Sequence, residues 1–137
     1  QSKKFYPFLK AAISATDGSH IPVHPPAKIR ARFRNRKGDT STNVLASCSF
    51  DMLYCHILAG WEGSISDGAL LADARAHDFK PPQGRFFLGD AGFPLCNDML
   101  VPYRGVRYHL REWESAKKRP ATPKELFNLR HSQCRNV

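Results

Sequence analysis

Ten prolines and nine glycines divide this chain of 137 residues into short segments. Proline interrupts helices, and both residue types mark turns, so the chain must fold from short elements. Pro22, Pro25 and Pro26 exclude a helix in that part of the sequence. The length fits one domain, and we expect that domain to cover residues 1–137.

The clearest strand pair is predicted at residues 43–50 and 53–59, where side chains alternate with period two. A two-residue turn at Asp51 and Met52 would put Cys48 opposite Cys55. We interpret these cysteines as core thiols rather than as a disulfide.

Two shorter extended segments, residues 11–16 and 20–23, come earlier in the chain. Asp17, Gly18 and Ser19 lie between them and have turn chemistry, because aspartate and serine hydrogen-bond nearby backbone and glycine tolerates unusual dihedral angles. These features predict a hairpin with Asp17 at the end of its first strand.

Two helices are predicted from their starting signals. Ser64 and Asp67 match a capping box in front of a helix over residues 69–77. Thr122 is the expected N-cap of the second helix, in which Leu126 and Leu129 would share one face.

Between the helices, residues 85–89 predict a short strand that delivers Asp90, and residues 95–121 are expected to be irregular. The predicted order is two or three antiparallel strands, a helix, a strand, a long insertion and a helix. That order favours an α/β fold with a mixed sheet flanked by helices.

The chain is strongly basic, with a formal net charge of +9. An excess of this size favours an anionic partner such as nucleic acid. No segment approaches the roughly 20 apolar residues of a membrane span. The four cysteines lack a CxxC pair, which argues against a zinc site and is typical of a reduced intracellular setting.

The positive charge is concentrated in two groups, and both are candidate DNA-contacting surfaces. In an extended KIRARFRNRK segment the arginines would share one side and could follow a phosphate backbone, whereas in a helix they would spread around the surface. In the second group, basic and aromatic residues are interleaved in PYRGVRYHLREW, which suits DNA contact but also a loop held to the core by its aromatics. The candidates are Arg30, Arg32, Arg34, Arg36, Lys37, Arg104, Arg107 and Arg111.

Asp17 and Asp90 are each expected at the C-terminal end of a strand, where α/β proteins place working residues. Two carboxylates brought together there could bind Mg²⁺, which prefers oxygen ligands and keeps several waters. Such an ion polarises phosphate and activates water. The alternative is that both aspartates only form turns, as this residue type often does.

Seven segments occur in an order that resembles a known family: ATDGSHIPV (residues 15–23), FRNRKG (33–38), FDMLY (50–54), LAGWEGSISD (58–67), LGDAGFP (88–94), PYRGVRYHLREW (102–113) and KELFNLRHSQCRNV (124–137). Together they resemble the DDE superfamily endonucleases of the PIF/Harbinger transposase type, including transposase-derived nucleases. The resemblance implies an RNase H-like core that uses Mg²⁺ or Mn²⁺.

Asp17, in DGSH, and Asp90, in GDAGF, match the first two catalytic, metal-binding carboxylates of that family. Asp67 matches a further aspartate of the family, either as a helix cap or in support of the metal site. His20 is a second supporting candidate, although a hydrogen-bonded turn histidine is the simpler interpretation. The family's third carboxylate, a glutamate that follows RNV after one intervening residue, lies past Val137. We therefore expect an incomplete, C-terminally truncated and inactive domain.

Two functions follow from this resemblance. One is a metal-dependent DNA endonuclease core that cleaves or transfers phosphodiester bonds. The alternative is a non-catalytic transposase-derived module that binds DNA or protein. The resemblance also implies a nuclear location, with or without a cytoplasmic pool, and a separate DNA-binding partner protein. It implies no contact with membranes.

Overall fold

The computed structural model describes residues 5–117 and 119–137, which form a five-stranded sheet and three α-helices. In chain order the elements are β1 (Ala12–Pro22), a single 3₁₀ turn (Arg30–Phe33), β2 (Ser41–Ser49), β3 (Tyr54–Glu62), α1 (Asp67–Ala76), β4 (Phe86–Leu88), β5 (Met99–Leu100), α2 (Leu110–Ala116) and α3 (Pro123–Arg135).

The sheet is mixed, with strand order β3-β2-β1-β4-β5. The first three strands pair antiparallel, and β4 and β5 run parallel to β1. This architecture confirms the predicted α/β class and is consistent with an RNase H-like fold. No helix in the described part of the chain is long and apolar enough to cross a membrane.

The hairpin predicted around Asp17 is wrong, because β1 is one continuous strand of eleven residues. Pairing with β2 runs without a break from Ser14 opposite Ser49 to Pro22 opposite Ser41. The ladder satisfies the backbone groups on both sides of Asp17, so strand pairing overrides the local turn chemistry.

The predicted β2–β3 pair is present, and its central register is the expected one, with Ser47 opposite His56. The connection is longer than the predicted two-residue turn, since β2 ends at Ser49 and β3 begins at Tyr54. A register shift then sets Cys48 opposite Tyr54 instead of Cys55.

The prediction of core thiols at this strand pair is also wrong. Cys48 is half-buried, Cys55 is exposed, and both are free. The buried face of β2 carries Ser41, Asn43, Leu45 and Ser47 instead. The hydroxyls of Ser14, Thr16 and Ser47 hydrogen-bond to one another across β1 and β2, as in the 2.6 Å bond between Ser14 and Ser47. Such pairing lets these hydroxyls be buried.

The main hydrophobic core lies between this face and α1. It contains Leu45, Leu70, Leu71, Ala74, Phe79, Phe87, Phe93, Met99 and Val101. The helix begins two residues before the predicted range, and Ser66, not Ser64, is its N-cap, accepting a hydrogen bond from the Ala69 amide at 3.3 Å. The capping box predicted from Ser64 and Asp67 is therefore wrong.

Helix α3 begins as predicted, with the Thr122 hydroxyl accepting a hydrogen bond from the Glu125 amide. Its predicted apolar face is wrong, because Leu126 is exposed while Asn128, His131 and Ser132 are buried. These side chains contact backbone groups of residues 100–108. Residues 95–121 also include β5 and α2, so this part of the chain is more ordered than the sequence predicts.

Candidate active site

The parallel pairing of β1 with β4 brings the two predicted catalytic aspartates together. Ala15 is the ladder partner of Leu88, and Asp17 and Asp90 each follow two residues later in the sequence. Asp17 lies within β1 and not at its end, which corrects the predicted location. Asp90 has left β4, and its Oδ1 atom accepts a hydrogen bond from the Gly92 amide at 2.8 Å.

Asp67 is the third carboxylate at this place, and its position depends on two glycines. A Cβ atom on Gly18 would lie 2.8 Å from Asp67 Oδ1. A Cβ on Gly92 would overlap Asp67 Oδ2 and lie 3.0 Å from Asp90 Oδ1. The Asp67 carboxylate is thus held between the backbones of β1 and the loop after β4, which only glycine allows.

Asp17 and Asp67 approach β1 from opposite sides. Neighbouring residues of a strand point to opposite faces of the sheet, so Asp17 points away from the face at Gly18 that Asp67 approaches. Asp90 lies beside both and interacts electrostatically with each of them.

The pKa values of Asp17 and Asp67, whose carboxyls lie on opposite sides of β1, reflect this crowding. Although 65% of the Asp17 side-chain surface is exposed, desolvation of its carboxyl by the surrounding protein raises its pKa. Asp90 and Asp67 raise this pKa further, whereas Arg135 and the Gly18 amide lower it. Burial also raises the pKa of Asp67, followed by the repulsion of Asp90, while Arg36 and His20 oppose the increase. Neighbouring carboxylates repel one another, so it is unfavourable for all of them to be ionised at once. A bound cation would relieve that repulsion.

Arg135 is a site residue that the sequence analysis did not identify. Its Nη1 atom lies 4.0 Å from Asp17 Oδ1, and its side chain is largely buried whereas that of Asp17 is 65% exposed. The available signal was its position in the RNV segment at the end of α3. Arg135 therefore partly balances the charge of Asp17 on the α3 side of the sheet.

Tyr108 also lies in the field of these carboxylates. Burial raises the pKa of its hydroxyl, and the negative charge of Asp90 raises it further. The Tyr108 ring lies against that of its neighbour His109, with ring centroids 3.9 Å apart and planes tilted by 35°. Contact of the aromatics of this segment with DNA stays a prediction.

His20 lies on the same side of β1 as Asp67. Its Nδ1 atom is 2.9 Å from Ser41 Oγ on the neighbouring strand. It is therefore a hydrogen-bonded histidine within a strand pair, not within a turn, and it interacts electrostatically with Asp67.

The KIRARFRNRK segment is not an extended track, because residues Arg30–Phe33 form a 3₁₀ turn. Arg32 makes an ion pair with Glu62 at 2.5 Å. Arg30 and Arg34 are exposed. Farther along, Arg36 and Lys37 line a cavity of about 240 Å³ together with His20 and Asp67. The segment therefore supplies cations beside the acidic site, and their contact with DNA stays a prediction.

In the second basic group, two of the three predicted DNA-contacting arginines have contacts within the protein. Arg104 donates hydrogen bonds to the carbonyls of Ala91 and Phe93, directly after Asp90. Arg107 lies over the Trp113 ring at 4.9 Å. Arg111 is exposed. The interpretation of this segment as a loop held to the core therefore agrees with the structure for Arg104 and Arg107.

The donors at this site are carboxylate oxygens, which are the ligands that Mg²⁺ and Mn²⁺ prefer. Within residues 5–117 and 119–137, no three His, Cys, Asp or Glu side chains are grouped closely enough to hold an ion by themselves. A Mg²⁺ site with few protein ligands keeps several waters, so Asp17 and Asp90 fit such an ion as part of its ligand set.

Comparison with known proteins agrees with this geometry. A family described as DDE superfamily endonuclease matches residues 16–137. The chain is 27% identical to Protein ALP1-like of Arabidopsis thaliana, over 92% of this chain and 32% of that protein. It is 28% identical to the Putative nuclease HARBI1 of Rattus norvegicus, over 94% of this chain and 34% of that protein.

The chain spans about a third of the length of these curated relatives. No solved structure matches it. Members of the DDE nuclease superfamily generally use divalent metals and act on DNA. The family match over residues 16–137 shows that this chain belongs to the DDE superfamily of endonucleases.

Proposed function

We propose that this chain is the catalytic core of a divalent-metal-dependent DNA endonuclease in which Asp17 and Asp90 hold the ion. The observation that supports the proposal is the parallel pairing of Ala15 with Leu88, two residues before Asp17 and Asp90, together with the electrostatic interaction between the two carboxylates. The bound Mg²⁺ or Mn²⁺ would polarise a phosphodiester and activate the attacking water or DNA hydroxyl.

The protein's own residues would orient this reaction. The Gly92 amide fixes Asp90 Oδ1, and Arg104 fixes the backbone after Asp90 through Ala91 and Phe93. Arg135 limits the electrostatic cost of the Asp17 carboxylate. Such supporting contacts hold ligand groups in place and typically change metal affinity or activity about 10- to 100-fold when removed.

Helix α3 suggests how the ligand set would be completed in a longer protein. The family resemblance implies a glutamate four residues after Arg135. Residues four apart lie on the same helical face, so one more turn of α3 would put that carboxylate on the side of Arg135 and Asp17. The activity of the whole protein, a separate DNA-binding partner protein and a nuclear location all belong to this proposal.

The test is nicking of supercoiled plasmid DNA in Mg²⁺ or Mn²⁺ by the full-length protein that contains this segment. We expect Asp17→Asn and Asp90→Asn each to abolish nicking. Asp78→Asn is the matched control, because Asp78 is exposed and lies just after the C-terminal end of α1. Asparagine also tolerates the positive φ of 66° at this position. Full activity in Asp17→Asn or Asp90→Asn would overturn the proposal.

A second candidate function is DNA binding without cleavage, which the net charge of +9 and the cations beside Asp67 favour. Phosphate contacts release counterions, so the logarithm of affinity should fall linearly with the logarithm of salt concentration. Replacing Arg36 and Lys37 with alanine should flatten that slope by about one for each phosphate that is no longer neutralised. An unchanged slope and affinity in this double variant would exclude these residues as DNA contacts.

A further inference from the structure

The longest part of the sequence without lysine or arginine contains a cluster of exposed apolar side chains. The chain has 21 lysine and arginine residues, and none of them lies between Gly38 and Ala74. Six of the fourteen large hydrophobic side chains that the described structure exposes fall within residues 50–61. Exposed apolar side chains that cluster in this way mark sites of interaction. We call these six the β3 apolar surface: Phe50, Met52, Leu53, Tyr54, Ile57 and Trp61.

This surface lies along an open edge of the sheet. β3 is the last strand in the order β3-β2-β1-β4-β5, so no strand in the described part of the chain pairs with its outer side. A free strand edge presents backbone N–H and C=O groups that can pair with another strand. Proteins often protect such an edge with lysine or proline, and the nine residues of β3 include neither.

The regular part of β3 is centred on Ile57. The ladder between β2 and β3 shifts register twice, and residues 56–58 form the regular part between the two shifts. Because bulges disrupt pairing locally, they limit a partner strand to the middle of β3. Ile57 is the central residue of that part, and its side chain is 59% exposed. A partner strand would therefore be centred on Ile57.

Ile57 points to the face of the sheet that is opposite α1. It pairs with Ala46 on β2, and Ala46 pairs in turn with Asp17 on β1. Residues in one row across a sheet point to the same face, so Ile57 shares the face of Asp17. Two strand spacings, about 10 Å, separate these two residues, so a substitution at Ile57 can be made without contact to the acidic site.

The β3 apolar surface presents almost no unpaired charge. Asp51 is the only lysine, arginine, aspartate or glutamate within residues 50–61. At the end of β3, Glu62 forms an ion pair with Arg32, and Asp73 of α1 accepts a hydrogen bond from the tryptophan indole of β3 at 2.7 Å. A partner rich in lysine or arginine would therefore find few unpaired acids here. The surface fits an uncharged, apolar strand, and β3 itself is such a strand.

Electrostatics favour this edge for contact between two copies of the chain. Molecules that each carry a net charge of +9 repel one another, most strongly where basic residues face each other. Because β3 contains no lysine or arginine, two copies can approach along it with little local repulsion. We infer that β3 of one copy pairs antiparallel with β3 of a second copy across a two-fold axis near Ile57, which joins their two sheets into one. This inference does not depend on the proposed function.

The first test is sedimentation equilibrium of the full-length protein that contains this segment, freed of nucleic acid. We expect the average mass to rise with concentration from that of one copy to that of two. Ile57→Lys should weaken the association about tenfold, because it replaces an apolar contact across the axis with two like charges. Leu126→Lys adds the same charge at an exposed residue of α3 and should associate like the wild type. A protein that stays monomeric, or a dimer that Ile57→Lys leaves unchanged, would overturn the inference.

Hydrogen exchange of backbone amides identifies what covers β3 without any substitution. If two copies pair, β3 amides should become more protected as the protein concentration rises, while those of β5, the opposite edge strand, should not change. Protection of β3 that is equal at all concentrations in a monomeric protein would mean that another segment of the same molecule covers this edge. A dimer whose β3 amides stay unprotected would place the contact elsewhere. Either result would contradict the inference.

Discussion

Acidification should destabilise this protein through one buried histidine. His131 on α3 is fully buried, and its Nε2 atom lies 2.9 Å from the Leu100 carbonyl of β5, to which it donates. Its Nδ1 atom has no partner in the described structure. Burial lowers the pKa of His131 from 6.5 to about 4, with Arg135 adding to the decrease and the Leu100 carbonyl and Asp90 opposing it.

The direction and size of the effect follow from proton linkage. The folded protein keeps His131 neutral down to about pH 4, whereas the unfolded chain takes up the proton below pH 6.5. The stability contributed by neutral His131 is therefore fully present above pH 6.5 and is lost as the pH falls toward 4. A gap between 6.5 and about 4 corresponds to about 3 kcal/mol of unfolding free energy.

The assay is urea unfolding at pH 7 and at pH 4.5 of the wild type and of His131→Gln. Glutamine can donate to the Leu100 carbonyl but does not titrate, so the wild type should lose roughly 2–3 kcal/mol more than the variant on acidification. The exposed His24→Gln variant is the control and should follow the wild type. The comparison between variants is needed because Asp17 and Asp67, whose pKa values are raised, shift stability in the opposite direction as the pH falls. Identical pH dependence in His131→Gln and the wild type would refute the reasoning.

Two further predictions concern side-chain contacts that hold the site. Asn128 is fully buried and exchanges three hydrogen bonds with the backbone of Tyr103 and Val106. Asn128→Ala should therefore lower the free energy of unfolding by about 3 kcal/mol in chemical denaturation. Asn136 is exposed, and the control Asn136→Ala should change that free energy by no more than about 0.5 kcal/mol. A small loss of stability in Asn128→Ala would mean that solvent replaces these bonds. Gly92→Ala should weaken Mn²⁺ binding roughly tenfold in calorimetry, because its Cβ would displace the neighbouring carboxylates. Gly68→Ala, whose Cβ would meet only Pro94 at 3.9 Å, is the control, and equal affinity in both variants would contradict the crowding argument.

Local signals in the sequence determined several elements correctly. The alternation over residues 43–59 predicted the β2–β3 pair, and the start of α3 at Thr122 and Pro123 was readable from capping chemistry alone. Both features depend on residues that are near one another in the chain. The strand pair follows from the alternation of side chains, and the helix start follows from the need to satisfy the first backbone N–H groups of a helix. The resemblance to DDE endonucleases also rests on short segments in a fixed order, and the catalytic role that it implies for Asp17 and Asp90 stays a prediction.

Tertiary structure decided what each of these elements faces. The residues next to Asp17 have a turn-like sequence. Nothing in them indicates that pairing with the long strand β2 would make β1 continuous through this position. The sequence predicted a shared apolar face for Leu126 and Leu129 on α3, yet Asn128 and His131 are buried because the backbone groups of residues 100–106 supply their partners.

The candidate site shows the same division. The sequence could propose Asp67 only as a helix cap or as a supporting residue. Its place between Gly18 and Gly92 arises from strands and a helix that are distant in the chain. A sequence therefore carries the chemistry of its carboxylates, but only the packing of sheet against helix determines which of them lie close together.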